Sequence, residues 1–214
     1  MGRPPGARND GFDARRRELA RRALESLTKH RGQASLRDMA REAEVSIPTL
    51  KHYFGDREGA VAEALRTARE GAEPHLQRTA DPGRRGLKNS LETLAQELAV
   101  AWSVFGVGPM FAAGMVAGMF DGKTGPAYLD GVLEPTVLAI EARLRVHARR
   151  GEAALDPDDE HAVRTAALAF VSPLLVALLH QNQLFGRSCR PLDLDRFIAT
   201  HVDGFVRAWG TKAP

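Results

Sequence analysis

The 214-residue chain contains a single cysteine, Cys189, and few aromatic residues, among them only two tryptophans and two tyrosines. A single cysteine excludes an internal disulfide, so the fold cannot depend on a covalent cross-link. The chain is rich in Ala, Leu and Arg, and unbranched side chains lose little conformational freedom in a helix, whereas aromatic and β-branched residues favour strands. We therefore predict an all-α fold.

The sequence also lacks the apolar segment of a secretory signal peptide near its start, and with the lone cysteine this predicts a reducing, cytoplasmic location. Two uncharged stretches, residues 98–120 and 165–186, have the length of a membrane span. Glycines and a proline interrupt the first stretch, and Pro173 and the polar run HQNQ interrupt the second. These interruptions favour buried helices, so we predict no membrane segment.

The positive charge of the chain is concentrated at its N-terminal end. Residues 1–57 carry 13 Lys and Arg against 8 Asp and Glu, a net charge of +5, whereas residues 58–214 carry 17 against 19, a net charge of −2. A basic segment of this kind is typical of nucleic-acid contact, although a solvated surface with an Arg-rich tail leaves the same signature. Residues 1–11, rich in Pro, Gly and Arg, are predicted to form a flexible basic arm.

Apolar residues recur at helical spacing through most of the chain and predict about nine helices and no strand. Turn signals separate them, and Gly71 with Pro74 predicts a kink in the fourth. The predicted helices span approximately residues 13–31, 35–43, 46–54, 57–79, 87–105, 109–120, 126–149, 158–185 and 193–209.

The two short helices within residues 35–54 have the features of a helix-turn-helix. Such a unit requires a small residue between its helices, a capped start on the second helix, apolar anchors behind that helix and polar groups in front of it. The residues that meet these requirements are, in order, Ala40, then Ser46, then Leu50 with Phe54, and finally Thr49, Lys51 and His52.

Residues 39–54 read MAREAEVSIPTLKHYF and are followed by GDRE. Over residues 12–65 the chain resembles the N-terminal signature of the TetR family of transcription regulators, in which Ala-Gly-Val-Ser, Thr-Leu-Tyr and Tyr-Phe occur in the same order and spacing. Three positions depart from the commonest form: Glu44 and Pro48 replace glycines, and Lys51 replaces a tyrosine. Glu reaches a left-handed conformation less easily than Gly, whereas Lys51 retains the ability to bind phosphate.

The resemblance implies a three-helix helix-turn-helix DNA-binding domain at residues 12–57 and a larger helical effector-binding and dimerisation domain at residues 58–214. It implies that Thr49 and Arg57 contact phosphate, that Arg37 reaches a phosphate or a guanine edge, and that Ile47 and Pro48 offer apolar contact to a thymine methyl. The full set of expected DNA contacts is Arg37, Ser46, Ile47, Pro48, Thr49, Lys51, His52, Tyr53 and Arg57.

For the remainder of the chain the resemblance implies a homodimer through the helices at residues 158–185 and 193–209, and a small-molecule effector held by the middle helices. The first of these two helices carries a stripe of small and apolar residues, which serves either a dimer interface or the core: Ala162, Ala166, Ala169, Phe170, Pro173, Leu174, Ala177 and Leu178.

Met and aromatic side chains of the middle helices suit an adaptable apolar cavity, and two histidines add polar groups. The candidate effector residues are Trp102, Phe105, Phe111, Met115, Met119, Phe120, His147, Phe170 and His180. Because the uncharged stretches contain few carboxylates, we expect a neutral or anionic apolar effector, and no cofactor or metal is predicted.

The sequence thus predicts a ligand-responsive DNA-binding transcriptional regulator, a repressor released from a palindromic operator by its effector. The alternative is a helical enzyme or interaction module without sequence-specific DNA binding. A Gly-rich phosphate loop, a Ser-centred elbow and metal-ligand spacing among the seven histidines are all missing from the sequence, and this favours the regulator over the enzyme.

Overall fold

A computed structural model describes residues 7–211 of the chain, with side chains from residue 11 onward, and confirms the all-α fold. Its helices are α1 Ala7–Lys29, α2 Leu36–Glu42, α3 Ile47–Phe54, α4 Arg57–Ala80, α5 Leu87–Val104, α6 Val107–Gly118, α7 Thr124–Tyr128, a π-helical turn Leu129–Leu133, α8 Glu134–Arg149, α9 Glu160–Asn182, α10 Gly186–Cys189 and α11 Leu194–Trp209. The extended pairing within residues 7–211 is limited to an isolated antiparallel bridge between Ala153 and Gly210.

The structure divides two of the predicted helices. The segment predicted as one helix over residues 126–149 forms α7, the π-helical turn and α8. Gly131 lies in the π-helical turn and packs against the backbone of α4, since a Cβ atom there would lie 2.7 Å from the carbonyl oxygen of Leu65. The helix predicted to end at residue 185 ends at Asn182, and Phe185, with a left-handed φ of 61°, directly precedes the short helix α10.

The described residues form two compact units. The first unit comprises the residues up to Gly71 together with Met110–Leu133, and the second comprises Ala72–Pro109 together with the residues from Glu134 onward. The compact units therefore do not divide at residue 57: most of α6, with α7, belongs with α1–α3. Helix α4 runs without a break through Gly71 and Pro74 and contributes to both units.

The core of the first unit forms where the apolar stripe of α1 meets α2, α3 and α4. Glu63 on α4 adds a polar tie, because its carboxylate accepts a hydrogen bond from Arg16 of α1 at 3.1 Å and another from Arg66. Burial raises the pKa of Glu63, but these two guanidinium groups outweigh burial and hold it below its usual range. The fully buried apolar residues of this core are Leu19, Ala20, Ala23, Leu27, Met39, Leu50, Ala60, Val61, Ala64 and Leu65.

In the second unit, Arg143 of α8 binds the C-terminal end of α4. It exposes only 3 % of its surface, and its guanidinium donates to the carbonyls of Thr79 at 2.6 Å, Asp81 at 2.8 Å and Arg78 at 2.9 Å. The last carbonyls of any helix lack partners within the helix. Arg143 therefore supplies the cap that α4 lacks, and a further bond of 2.7 Å to the hydroxyl of Ser90 connects α5.

Most of the stripe predicted for α9 lies in the core of its own chain. Phe170 packs against the rings of His201 and Phe205 of α11, with centroid distances of 5.6 and 5.3 Å. The buried members of the stripe are Ala166, Phe170, Leu174, Ala177 and Leu178. Ala169 and Pro173 are exposed and lie instead on a separate outer stripe with Leu168, Ser172 and Val176. The stripe as predicted therefore combined two faces of the helix.

Among the described helices, α9 is long and apolar enough to cross a membrane, and α5 with α6 passes the same test as a broken pair. Core helices of soluble proteins have the same length and apolar composition. In α9, 44 % of the apolar window is buried inside the fold.

Candidate nucleic-acid interface

Helix α2 begins with a capping box. The backbone N–H of Asp38 donates to the hydroxyl of Ser35 at 3.2 Å, and the backbone N–H of Ser35 donates to the Asp38 carboxylate at 3.0 Å. The hydroxyl and backbone N–H of Ser35 hold the pKa of Asp38 below its usual value. This reciprocal pair fixes the start of α2 and leaves Arg37, in its first turn, exposed.

The turn between α2 and α3 is a Schellman motif. The N–H of Val45 bonds to the carbonyl of Ala40 at 3.0 Å, and the N–H of Glu44 bonds to that of Arg41 at 3.2 Å. The residue after the C-cap of such a motif takes a left-handed conformation, and Glu44 has φ 53°. This geometry explains why glycine is common at this position and identifies Glu44 as a strained residue.

Replacing Glu44 with Gly is expected to stabilise the protein by about 0.5 kcal/mol. Relief of left-handed strain, about 1 kcal/mol, exceeds the extra chain entropy that Gly loses on folding. Thermal unfolding measures the effect, and Glu44→Ala is the matched control because it removes the same carboxylate and keeps the Cβ atom. If Glu44→Gly were no more stable than Glu44→Ala, the left-handed conformation of Glu44 would not be strained.

Helix α3 presents its N-terminal end to solvent. Its cap is Ser46, whose hydroxyl accepts a hydrogen bond from the backbone N–H of Thr49 at 3.2 Å. Pro48 lies in the first turn, where a missing N–H has no helical partner to lose, and Leu50 anchors the opposite face in the core. The exposed residues of this helix end are Ser46, Ile47, Pro48, Lys51 and His52, with Thr49 half-buried.

The C-terminal half of α3 makes an aromatic contact with α1 that the sequence does not predict. Phe12 stacks on Tyr53 at a centroid distance of 4.7 Å and meets the edge of His52 at 6.1 Å. Tyr53 is half-buried, so its ring serves both packing and surface. Phe12 therefore sets the orientation of the two aromatic side chains that were predicted to face DNA.

Arg57 binds the loop between α1 and α2. Its Nε donates to the carbonyl of Ala34 at 2.7 Å and its Nη2 to that of Gly32 at 3.0 Å, and its side chain is 29 % exposed. Two of its donor groups are thus committed to backbone oxygens directly before the cap of α2. This geometry favours a positioning role over the direct phosphate contact that the family resemblance implies.

Replacing Arg57 with Met is expected to lower stability by about 1–2 kcal/mol, since two charge-assisted hydrogen bonds to backbone carbonyls are lost at a partly exposed site. The affinity for duplex DNA should fall together with the stability, because the start of α2 is no longer fixed by these hydrogen bonds. The salt dependence of binding should stay unchanged, whereas loss of a phosphate contact lowers its slope by about 1. Arg69→Met, at an exposed position of α4, is the matched control.

The start of α4 is linked to the segment before α7 within the first unit. Asp56 accepts a hydrogen bond from the backbone N–H of Gly59 at 2.7 Å and pairs with the Lys123 ammonium at 2.8 Å, and these groups, Lys123 foremost, lower its pKa. Gly32, with φ 86°, lies against α6, because a Cβ atom there would lie 2.5 Å from the carbonyl oxygen of Ala113. Residues 110–133 therefore brace the helix-turn-helix.

The candidate effector residues divide between the two units. In the first unit, Phe111 is buried and meets Tyr128 edge to face at 5.6 Å, and Met115 is half-buried one turn later on α6. Met119 is exposed, and Phe120 is fully exposed with a left-handed φ of 66°.

In the second unit, Phe105 is exposed and His180 is half-buried beside the amide of Gln181, at 2.7 Å. Trp102 donates its indole N–H to Gln183 at 2.8 Å. His147 is fully buried, and its two ring nitrogens lie 2.6 Å from the Glu152 carboxylate and 2.9 Å from the Ser90 hydroxyl. His147 and the buried Phe170 are therefore engaged with residues of their own chain.

Searches with the sequence match no family model and no curated protein. The fold, in contrast, is similar to several solved structures. A protein of Mesorhizobium loti assigned to the TetR family of transcriptional regulators superimposes with a TM-score of 0.72 at 18 % identity, covering 94 % of this chain and 98 % of that one. SmeT of Stenotrophomonas maltophilia, the repressor of the multidrug efflux pump SmeDEF, superimposes with a TM-score of 0.61 at 14 % identity, covering 92 % of this chain and 91 % of that one.

The fatty acid degradation regulator FadR of Bacillus halodurans gives a TM-score of 0.62 at 14 % identity, covering 96 % of each chain. These similarities extend over nearly the whole of every chain compared, well beyond the helix-turn-helix. The protein therefore has the fold of the TetR-family transcriptional regulators.

Proposed function

We propose that this protein is a ligand-responsive transcriptional regulator that binds double-stranded DNA through α3. The observation that supports the proposal most strongly is the two-helix unit of residues 35–54, in which both helices are capped and α3 is anchored at Leu50 while its N-terminal end is exposed. A short helix presented in this way fits the major groove of a duplex.

The exposed side chains of this surface suit different parts of a duplex. Lys51 suits a phosphate and Arg37 suits a phosphate or a guanine edge, while the apolar Ile47 and Pro48 suit a thymine methyl. Ser46, Thr49, His52 and Tyr53 complete the proposed contact set. Arg57, bound to Gly32 and Ala34, acts through the position of α2.

We propose a homodimer built on α9 and α11. The support is the outer stripe of α9, namely Leu168, Ala169, Ser172, Pro173 and Val176, which recurs at helical spacing and is exposed in the single chain. Small and apolar residues in such a stripe permit close approach of a second helix. A two-fold dimer would present one α3 to each half of a palindromic operator.

Effector binding is proposed to act through α4, the helix that contributes to both units, with Gly71 and Pro74 as the flexible point. The effector must favour a DNA-incompetent arrangement of the two α3 helices by only about 1–3 kcal/mol to weaken binding about 5- to 150-fold. An apolar, neutral or anionic effector and a repressor mode are proposed. A cytoplasmic location follows from this function.

One buried cluster resembles a hydrolase triad, because Ser90, His147 and Glu152 are linked through the two nitrogens of the histidine ring. However, Ser90 is fully buried and its hydroxyl already accepts a hydrogen bond from Arg143. A nucleophile must reach its substrate, and this hydroxyl is enclosed by its own chain. We propose that the cluster is structural and that the protein is not an enzyme.

The proposal is tested by fluorescence anisotropy of labelled duplex DNA, titrated with the protein between about 50 and 200 mM salt. Release of counterions makes binding fall steeply with salt, with a slope of about −0.9 for each phosphate neutralised. We expect tight binding at low salt with a slope of several units. An enzyme or scaffold without DNA affinity would show no binding at any salt concentration.

A further inference from the structure

A chain of hydrogen bonds crosses the second unit from the end of α4 to the segment after α8. Arg143 donates to the hydroxyl of Ser90 at 2.7 Å, and that hydroxyl lies 2.9 Å from Nε2 of His147. Nδ1 of the same ring lies 2.6 Å from the carboxylate of Glu152, which is partly exposed. Because Arg143 also caps α4, one buried ring connects that helix end with a group at the surface.

The donor and acceptor at each step of this chain can be assigned. A guanidinium has only donor groups, so the oxygen of Ser90 accepts from Arg143. The Ser90 hydroxyl therefore donates its own proton to Nε2 of His147, which must be unprotonated. The ring proton then lies on Nδ1 and is donated to Glu152. A neutral His147 ring with its proton on Nδ1 thus satisfies every bond of the chain.

A protonated ring does not fit this arrangement. Its Nε2–H would point at an oxygen that already accepts from Arg143, and the Ser90 hydroxyl would lose its acceptor, since its partners in the part of the chain that the structure describes are Arg143 and His147. Burial lowers the pKa of His147, and Arg150 and Arg143 act in the same direction, so that together they outweigh the carboxylate of Glu152.

His147 is also the group of this cluster that can respond to mild acid, because histidine is the side chain that ordinarily changes its charge between pH 5 and 8. Further ionisable groups on the surrounding elements have ion-pair partners of their own or act on the guanidinium: Lys88 pairs with Asp203, Arg164 pairs with Glu134 and Glu141, and Asp81, Arg85 and Glu97 act on Arg143.

We propose that His147 is an acid-sensitive lock on the C-terminal end of α4: the neutral ring holds Ser90 and Arg143 in place, and in mild acid the cluster opens to take up a proton and releases the cap. The lock concerns the second unit and does not rest on DNA binding. An opened or unfolded chain takes up this proton near the ordinary histidine pKa of about 6.5, before the closed cluster does. The stability is therefore fully present above that pH and is lost as the pH falls below it.

The test is denaturant unfolding of the full chain at pH 7.5 and pH 5.5. Uptake of one extra proton on unfolding raises the unfolding constant by up to about tenfold per pH unit below about 6.5. Between the two pH values we expect the constant of the wild type to rise about tenfold more than that of His147→Gln, whose amide forms hydrogen bonds without titrating. His161→Gln, at an exposed position of α9, is the matched control and should follow the wild type.

Two measurements on the wild type do not depend on the folding of a variant. Nitrogen NMR of the histidine rings should show His147 neutral with its proton on Nδ1 at pH 7.5, and still neutral at pH 6, where an ordinary histidine is mostly protonated. Native-state amide exchange should locate the opening. After correction for intrinsic exchange rates, protection of the last turn of α4 should fall about tenfold between pH 7.5 and pH 5.5.

The proposal is overturned if the His147 ring is an imidazolium at pH 6, or if it carries its proton on Nε2 alone at pH 7.5. An equal pH dependence of unfolding in the wild type and in His147→Gln would overturn it as well. Unchanged protection at the end of α4 would show that the ring does not hold that helix end. If His147→Gln does not fold, the ring NMR and the amide exchange of the wild type decide.

Discussion

Replacing Lys51 with Glu is expected to weaken binding of operator DNA at least about 100-fold. Lys51 is exposed on the outer face of α3, and its ammonium makes no ion pair among the described residues. Reversal of its charge places a carboxylate at the phosphate backbone and should lose about 1.4 kcal/mol or more per reading helix, which is about tenfold per half-site. A two-fold complex contains two copies of α3, so it loses this binding free energy twice.

Two controls isolate this effect. Arg187→Glu makes the same change of charge at an exposed position of α10, in the second unit, and should alter affinity only slightly. Lys51→Ala should lower the salt slope by about 1 for each reading helix. Thermal unfolding of both Lys51 variants should match that of the wild type, because the side chain is exposed. If Lys51→Glu bound DNA as tightly as the wild type, α3 would not lie at the DNA interface.

Replacing Arg143 with Met is expected to destabilise the protein by about 3–5 kcal/mol, the largest effect on stability that we anticipate. The side chain is almost fully buried and donates to three carbonyls at the end of α4 and to Ser90. Met retains much of the volume, so the loss arises mainly from backbone carbonyls left without a donor.

Thermal unfolding should show this loss as a fall in melting temperature of about 10 °C, since 1 kcal/mol corresponds to about 2–4 °C in a chain of this size. Arg149→Met, on the same helix but exposed, should stay within about 0.5 kcal/mol of the wild type. A fall of less than about 3 °C in Arg143→Met would mean that the carbonyls of α4 find other donors.

The helices that the sequence predicts most accurately are those with clear end signals. Ser46 caps α3 where expected, and Ser35 caps α2 at the predicted start of that helix, because an N-cap is a local interaction between residues three positions apart. The left-handed conformation of Glu44 likewise follows from the turn itself, whose hydrogen bonds join residues close together in the chain. Local chemistry of this kind is readable without knowledge of the fold.

Features that depend on contacts between residues far apart in the chain could not be predicted from the sequence. The division into α7, a π-helical turn and α8 accompanies the close approach of Gly131 to Leu65, residues far apart in the chain. The hydrogen bonds of Arg57 to the carbonyls of Gly32 and Ala34 likewise join residues more than 20 positions apart.

Contacts with distant residues also explain why the stripe predicted for α9 combined two faces of the helix. Periodicity shows which small and apolar residues recur along a helix. When a helix is buried on one side and partly apolar on its exposed side, residues of both faces enter the same periodic pattern. Phe170 proved to be core, against α11, whereas Val176 lies on the exposed face. Only the tertiary contacts separate the two faces.

Selection of bound DNA from a random library by the full chain would show whether two copies of α3 read a duplex. We expect a palindromic site whose half-sites are separated by about one helical turn of DNA or a multiple of it, and weaker enrichment by Lys51→Glu. No enrichment over the starting library, or an enriched site without two-fold symmetry, would contradict reading of the duplex by two copies of α3.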